Sequence, residues 1–313
     1  MTVVKVLKRR PLFKGKQKVS LPTAVPDCDG KTFVLFAEVV KGRLDFYYGV
    51  PTNTDAAEFE RYLCGAVKVM KEGPEKRLGF AFPYLNNPNE AIAADAVLTF
   101  AKAELADLRA AGKVYDRAKL LQWLRDKETP PYRVSLFAVL LGACGKAEDK
   151  PLFREPLLQA ETADGFVLGY YFLDPPEGKE AALRMLTDGK LSFPRRHATL
   201  RTIRFILGES TPQDLETLAK RLVLTFDQED MADLIVEVLR TYKIWGPTEE
   251  VLRLYTKQEK TPILVRALAR YALQSPDPKA KAFVAELRKK EPERVADVEE
   301  LLQLENPQPG KSP

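Results

Sequence analysis

The chain has a single histidine, His197, and only three cysteines among its 313 residues. Zinc sites, and carboxylate-bridged iron sites in helical bundles, take several His or Cys ligands at helical spacing, so no metal site is predicted. A Ser-His-Asp or Cys-His arrangement would have to use His197, and no nucleophile motif accompanies it. The cysteines Cys28, Cys64 and Cys144 are odd in number and widely spaced, which predicts free thiols. The sequence therefore predicts no catalytic residue, no metal and no cofactor.

Long apolar runs and glycine-rich phosphate loops are also missing. No apolar run approaches the roughly 20 residues that cross a bilayer, so no membrane span is expected. Neither GxGxxG nor GxxxxGK[ST] occurs, which removes the usual signatures of phosphate binding. At the amino terminus a short apolar run precedes the basic cluster, the reverse of the order in a signal peptide. The chain as written is expected to be cytoplasmic, or exported if a signal peptide lies upstream of it.

The net charge of +5 is concentrated in the first 50 residues. They hold ten Lys or Arg against four acids, and the remaining residues hold 39 against 40. This excess has two interpretations. The lysines keep an exposed strand edge soluble, or they bind an acidic partner such as nucleic acid or an anionic membrane surface.

The first 50 residues are expected to be β. The strongest strand signal covers residues 32–40, and Lys41-Gly42 joins it to a second strand at residues 43–48 as a hairpin. Shorter strands are predicted at residues 3–7 and 18–21. A sheet of this size is marginal alone, so it is expected to pack on the helices that follow.

Beyond Pro51 the pattern is helix, short turn, helix up to Leu304. A first helix is predicted at residues 56–71, and residues 156–173 show no clear phase. Neither helix of such a hairpin buries its apolar face alone, so stacking of neighbouring hairpins must form the core. Second helices of successive hairpins are predicted at 91–103, 133–144, 195–207, 231–242 and 264–274, followed by a last pair at 280–290 and 292–304.

Several strings resemble HEAT-type repeats, namely Tyr84-Leu85-Asn86-Asn87-Pro88-Asn89 with Asp95-Ala96 after it, and the Pro-x-Arg openings of second helices. Across residues 1–305 the order of parts resembles a group of uncharacterised bacterial HEAT-like repeat proteins, through residues 45–51, 140–145 and 282–287. Members often begin with an export signal and an additional β segment, neither of which the sequence as written predicts. No activity is established for the group, so the resemblance implies a fold and no site.

The predicted fold class is mainly α, a right-handed α–α superhelix (HEAT/ARM-like solenoid) preceded by a small antiparallel β segment. Residues 1–52 are assigned to the β segment, packed on the solenoid. Residues 53–305 are assigned to six or seven helical repeats. Residues 306–313 are rich in proline and are predicted to be a disordered tail.

The candidate partner-binding residues form a predicted basic ridge on second helices, made of His197, Arg201, Arg204, Arg266 and Arg270. At 100° per residue the first three lie within about 60° of one another, and the last two are one turn apart. In a right-handed stack of hairpins the second helices line the concave surface, so the ridge would face a bound anion. The alternative role is inter-repeat salt bridging and solvation. His197 alone is expected to be a helix-surface or packing residue.

Arg196 is expected to differ from its neighbours. It falls inside the apolar arc of Leu200, Ile203 and Leu207, so it is predicted to bond helix ends or turn carboxylates between repeats. Trp123 and Trp245 end amphipathic helices and are expected to pack in the core.

The leading functional hypothesis is a non-enzymatic scaffold, expected to be a monomer, which presents a concave helical surface to an unknown protein partner. The alternative is binding of nucleic acid or another polyanion through the basic amino-terminal segment and the Arg201/Arg204 stripe. A helical-repeat enzyme, such as a glycosylase or lyase, is the third hypothesis, and the single histidine weighs against most versions of it.

Overall fold

The computed structural model describes residues 3, 5–7, 18–19, 32–52, 56–159, 164–228, 230–256 and 261–305. The fold is mainly α-helical with an antiparallel β segment near the amino terminus. The chain folds into two compact units, residues 1–116 and 117–313, and each unit is described by itself below. The predicted tail at 306–313 lies outside the described residues.

The predicted hairpin is confirmed. Strand β1 (Phe33–Val40) pairs antiparallel with β2 (Arg43–Pro51), with a register irregularity between Phe36 and Ala37. Lys41 and Gly42 connect the strands and both have positive φ, at 47° and 76°. A two-residue turn of this kind matches the right-handed twist of the strands, and glycine adopts positive φ without strain.

The predicted strand at residues 3–7 is wrong at its described positions, Val3 and residues 5–7, none of which lies in a strand. Lys5 instead forms an ion pair with Glu60 on the first helix, so this segment meets a helix side chain where a strand partner was expected. Of the second predicted strand, at residues 18–21, Lys18 forms a single β bridge and Val19 lies outside any strand. Residues 20 and 21 lie outside the described residues.

Helices occupy most of the remaining described chain. In unit 1 they are α1 (Ala56–Val69), α2 (Pro74–Ala81), α3 (Glu90–Ala101) and α4 (Leu105–Ala110). In unit 2 they are α5 (Arg117–Arg125), α6 (Pro131–Cys144), α7 (Lys150–Gln159), α8 (Asp164–Leu173), α9 (Pro175–Thr187), α10 (Phe193–Ala198), α11 (Leu200–Glu209), α12 (Pro212–Leu222), α13 (Ala232–Thr241), α14 (Thr248–Arg253), α15 (Pro262–Gln274), α16 (Pro278–Lys290) and α17 (Pro292–Glu305).

Four of the five predicted second helices, α3, α6, α13 and α15, begin and end within two residues of the predicted bounds. Their starts follow capping chemistry: the side chains of Asn89 and Thr261 accept backbone N–H groups of α3 and α15. The fifth, predicted as one helix at 195–207, is divided into α10 and α11 at Thr199. The Thr199 hydroxyl donates to the Arg196 carbonyl at 2.7 Å, a local bond that competes with the helix ladder.

In unit 1 the hairpin packs on the helices that follow it. Val34 and Val50 contact a buried cluster of Phe59, Tyr62 and Ile92. The Tyr62 hydroxyl donates to Asp95 at 2.6 Å. Burial, and then the hydrogen bond to that carboxylate, raise the pKa of Tyr62 far above its ordinary value.

In unit 2 the closest helix pair is α6 with α8. A Cβ added at Gly165 or Gly169 of α8 would overlap the carbonyl oxygens of Ser135 or Ala138, and one added at Gly142 of α6 would overlap backbone atoms of Gly169. Small residues at three- and four-residue spacing therefore let the two backbones touch. Helix α8 is buried on nearly every side from Gly165 onward, which explains why residues 156–173 showed no amphipathic phase.

Both tryptophans pack on aromatic side chains, as expected. The ring centroids of Trp123 and Phe137 are 4.9 Å apart, and those of Trp245 and Tyr271 are also 4.9 Å apart. The Tyr271 hydroxyl donates to the Ile244 carbonyl at 3.1 Å, so this buried phenol is satisfied.

Candidate binding surface on the second helices

The surface of α10 and α11 carries the three predicted residues His197, Arg201 and Arg204, all of which are exposed. Phe193, at the start of α10, is 41% exposed, and its ring centroid lies 5.4 Å from that of His197. We call these four residues the α10–α11 ridge. The division at Thr199 does not bury any of them, because the apolar face of α11 is formed by other positions.

Arg196 points into the molecule, as predicted. Its side chain is buried and donates to the Leu191 carbonyl at 2.9 Å and to Gln228 at 2.8 Å. It also forms a two-pronged contact with the Asp230 carboxylate, at 2.8 and 2.5 Å. Gln228 in turn donates to the Thr187 carbonyl at 2.8 Å. We call this set the Arg196 clamp, because it ties the turn before α10 to the turn before α13.

The hydrogen bonds from Arg196 lower the pKa of the Asp230 carboxyl, while partial burial opposes that shift. Two parallel N–H···O bonds from one arginine to one carboxylate form a stronger interaction than a single neutral hydrogen bond. Arg196 is therefore fully occupied by the fold and offers nothing to a partner.

Arg201 and Arg204 differ from Arg196 in having no ion pair and no side-chain hydrogen bond to any residue that the structure describes. The Tyr242 hydroxyl donates to the backbone carbonyl of Arg204 at 2.6 Å. Burial raises the pKa of that phenol, and the nearby Arg204 charge opposes the shift. The hydrogen bond from Tyr242 thus holds the backbone at Arg204, and both arginines are exposed to solvent.

Arg266 and Arg270 lie one turn apart on α15, and their surroundings differ. Arg266 is exposed and has no partner among the described residues, and Ile263 beside it is 65% exposed. The Arg270 side chain is only 18% exposed and pairs with Glu237 at 3.2 Å and with Glu305. Four of the five predicted ridge residues are therefore exposed, and Arg270 is enclosed by carboxylates.

The partners of Arg270 form a four-membered ionic network across α13, α15 and α17. Arg240 donates to Glu237 at 2.8 Å and pairs with Glu305 at 3.3 Å, so each carboxylate contacts both arginines. Arg240 also donates to Gln274 at 2.9 Å. Two cations and two anions cancel, so this part of the second-helix surface presents little net charge.

Ion pairs connect α7 with the start of α9, and a hydrogen bond from Arg154 to the Tyr170 hydroxyl connects α7 with α8. Glu177 at the start of α9 accepts hydrogen bonds from Tyr170, Arg154 and Lys150, which together lower its pKa to about 2. Lys150 also pairs with Asp174, the N-cap of α9. All of these charges have partners within the fold, in contrast to Arg201 and Arg204.

A second charged set joins α5 to the turn before α7. Arg117 donates to the buried Asp149 at 2.7 and 2.5 Å, and to Glu148 at 2.6 Å. Burial raises the pKa of Asp149, but the bonds from Arg117 and from the Lys146 backbone N–H lower it by more.

An open groove of about 420 Å³ lies among α8, α9, α11 and α12. Its carboxylates are already engaged: Glu209 accepts from Tyr171 at 3.1 Å, Glu180 pairs with Arg221 at 3.4 Å, and Asp214 caps α12. The hydrogen bonds from Thr211 lower the pKa of Asp214, which keeps that carboxylate ionised.

The remaining expectations are only partly covered by the structure. Among the described residues, no cluster of three or more His, Cys, Asp or Glu has the arrangement of a metal site. Within the same residues, none of the helices has the length and apolar character that a bilayer crossing requires. Of the basic amino-terminal segment, Lys5, Lys18, Lys41 and Arg43 are described and the other cations lie outside the described residues.

Sequence reasoning missed Phe193 and Glu305. The helix predicted to begin at Arg195 does not include Phe193, although the pair Phe193-Pro194 is a usable signal for a helix start. Glu305 had no signal, because its partners are on other helices.

Comparison of the chain with models of known protein families, with curated proteins and with solved structures finds no match.

Proposed function

We propose that the chain is a HEAT-like helical-repeat scaffold, a non-enzymatic protein that binds a protein partner through the exposed face of its second helices. In this proposal residues 53–305 form a right-handed solenoid of helical hairpins, and residues 1–52 form the β segment that precedes it. A monomeric state and a cytoplasmic location stay predictions.

The order of helix packing in unit 2 supports the repeat interpretation. Helix α5 packs on α6 and α9 packs on α11, which are the two members of predicted hairpins. Helix α7 packs on α8 in the same way, although the sequence showed no clear phase at residues 156–173. Second helices also contact the next second helix along the chain, α6 with α8, α8 with α11, and α13 with α15. Packing between chain neighbours is what a stack of incomplete units requires.

The observation that carries the binding proposal is the contrast among arginines on the second helices. Arg196, Arg240 and Arg270 each have carboxylate partners within the fold, whereas Arg201 and Arg204 have none among the described residues. Carboxylates within the fold therefore pair with the structural arginines, whereas the arginines of the α10–α11 ridge have no carboxylate partner among the described residues. A partner carboxylate would complete charge-assisted hydrogen bonds there.

Affinity capture with a charge-reversed variant tests this proposal. Immobilised protein is exposed to a nuclease-treated lysate of the source cells, and bound proteins are quantified for wild type and for Arg201→Glu/Arg204→Glu. The control is Lys220→Glu/Lys281→Glu, two exposed lysines on α12 and α16 whose reversal changes the net charge equally. A partner retained by wild type and control but lost by the ridge variant is expected. Equal recovery by the ridge variant would contradict the proposal.

The same unpaired arginines also favour the second candidate function, binding of nucleic acid or another polyanion. That function predicts retention on heparin that weakens steeply between about 50 and 200 mM salt. Elution of the wild type at the lowest salt would remove this candidate and leave the protein-scaffold proposal standing.

A further inference from the structure

The α10–α11 ridge combines an exposed aromatic ring with basic side chains on α10 and α11. The two helices meet at Thr199, whose φ of −74° and ψ of −20° are close to helical, so the path keeps approximately the rise of a helix. Phe193, His197, Arg201 and Arg204 follow each other at intervals of four, four and three residues. At 1.5 Å per residue this path is about 16 Å long, with successive side chains about 5–6 Å apart along the axis. The ridge is therefore a short row, apolar at one end and basic at the other.

We infer that this ridge binds a short extended acidic peptide segment of a partner protein, with one aromatic or aliphatic side chain packed on Phe193. The inference rests on the proposed function and specifies the partner's chemistry. An extended chain of about five residues covers 16 Å and places alternate side chains about 7 Å apart on one face. With the apolar residue on the ring, acids at alternate positions lie about 7 and 14 Å along the path. The first lies beside His197, at about 6 Å, and the second lies between Arg201 and Arg204, at about 12 and 16 Å.

Charge complementarity favours a peptide over a nucleic acid strand. A strand carries one phosphate per about 3.4 Å, hence about five charges over this path, against two guanidinium groups and one imidazole. Outside the first 50 residues the chain holds 39 basic and 40 acidic residues, so its net charge there is close to zero. A segment with two carboxylates equals the two guanidinium groups in charge.

The surroundings of the ridge leave room for such a segment. Glu209, at the end of α11, accepts a hydrogen bond from Tyr171. Tyr242 holds the backbone at Arg204, which fixes the basic end before a ligand arrives. Phe193 contacts His197 on one side, and 41% of its surface is exposed to receive an apolar side chain.

Fluorescence polarisation with labelled Phe-Ser-Glu-Ser-Glu as the probe tests the inference. Wild type is expected to bind this peptide and not the basic counterpart Phe-Ser-Lys-Ser-Lys. Phe193→Ala is expected to weaken binding about tenfold, since the contact would bury the 41% of Phe193 that is exposed. Leu224→Ala, which removes another exposed apolar residue, is the matched control and is expected to bind as wild type does.

The charge-reversed variant Arg201→Glu/Arg204→Glu separates a specific site from a loss of folding. It is expected to lose the acidic probe and gain the basic one. If Phe193→Ala binds the acidic probe as tightly as wild type while the charge reversal abolishes binding, this inference fails and the proposed function stands. If neither variant changes binding or partner capture, both fail. Tighter binding of an oligothymidine strand than of the acidic probe, lost on charge reversal, would assign the ridge to nucleic acid and overturn the inference.

Discussion

The contact between α6 and α8 and the contact between α10 and the turn before α13 join parts of unit 2 by different means. In the first, glycines bring two apolar helices into backbone contact. In the second, the buried Arg196 guanidinium reaches a carboxylate, an amide and a carbonyl. The first contact depends on the absence of side-chain volume and the second on one long side chain with complete hydrogen bonding. The contribution of each contact to stability should therefore respond differently to added side-chain volume, to the removal of a charge and to a change of pH.

The largest effect is expected from adding volume to the α6–α8 contact. Gly169→Val places atoms against the Ala138 carbonyl and within 2.7 Å of the Phe153 ring, so the helices must separate. Overpacking against backbone should lower the free energy of unfolding by about 3 kcal/mol or more. Urea unfolding followed by circular dichroism measures the change.

The control for this variant is Gly208→Ala on α11, where an added Cβ lies 3.9 Å from Tyr242. Alanine in an accommodating helix position should be neutral or stabilise by up to about 1 kcal/mol. Equal destabilisation by the two variants would show that α6 and α8 are not in backbone contact.

A smaller effect is expected from removing charge at the other contact. Arg196→Met keeps the apolar stem but leaves Gln228 and the Leu191 carbonyl without their donor. We expect a loss of about 2 kcal/mol, below the full cost for a buried pair because Asp230 is 45% exposed and becomes hydrated. The same substitution at Arg201, exposed and without a partner among the described residues, should change stability by less than about 0.5 kcal/mol. Thermal unfolding of both variants decides whether the clamp stabilises the fold.

These two contacts also show what the sequence could predict. The 3.6-residue period placed Arg201 and Arg204 outside and Arg196 inside, because α11 has one apolar face and one solvent face. The same reasoning failed for helix α8, because a helix that is buried on nearly every side has no polar face from which its phase can be read. The spacing of the glycines in α8 was the available signal. That spacing predicts the close approach of another helix and gives no information about an amphipathic face.

The candidate site was predicted unevenly for the same physical reason. Periodicity within one helix tells which face a residue occupies but not what lies opposite it. Arg266 and Arg270 share a helix, yet Arg270 is enclosed because Glu237 and Glu305 approach it from α13 and α17. Likewise the segment at residues 3–7 had strand-like residues, but the side chain of Lys5 contacts α1. Such contacts depend on tertiary structure, which a single-helix pattern does not contain.

The clamp should also give the second contact an acid sensitivity that the glycine contact lacks. Because hydrogen bonds from Arg196 lower the pKa of Asp230, the clamp contributes stability above the unfolded pKa of about 4 and loses it as pH falls through the folded value. The difference in melting temperature between wild type and Arg196→Met should therefore shrink between about pH 7 and pH 3. The difference between wild type and Gly169→Val should not shrink in this way. A constant difference for Arg196→Met would mean that Asp230 does not pair with Arg196 in solution.

The smallest effect is expected at Glu305, where a third kind of contact holds the end of α17. Leu304 beside it is 71% exposed and Leu302 packs on a buried cluster, so the last turn of this helix is held partly by apolar contact and partly by the carboxylate that meets Arg240 and Arg270. Glu305→Gln keeps the shape but removes the charge, and an ion pair this exposed should contribute no more than about 1 kcal/mol. The readout is local instead of global: amide hydrogen exchange in the last turn of α17 should accelerate while exchange in α15 stays unchanged. Glu300→Gln is the matched control, since that carboxylate is exposed and has no partner in the described part of the chain. If the two variants exchange alike, the ionic network does not hold the end of α17.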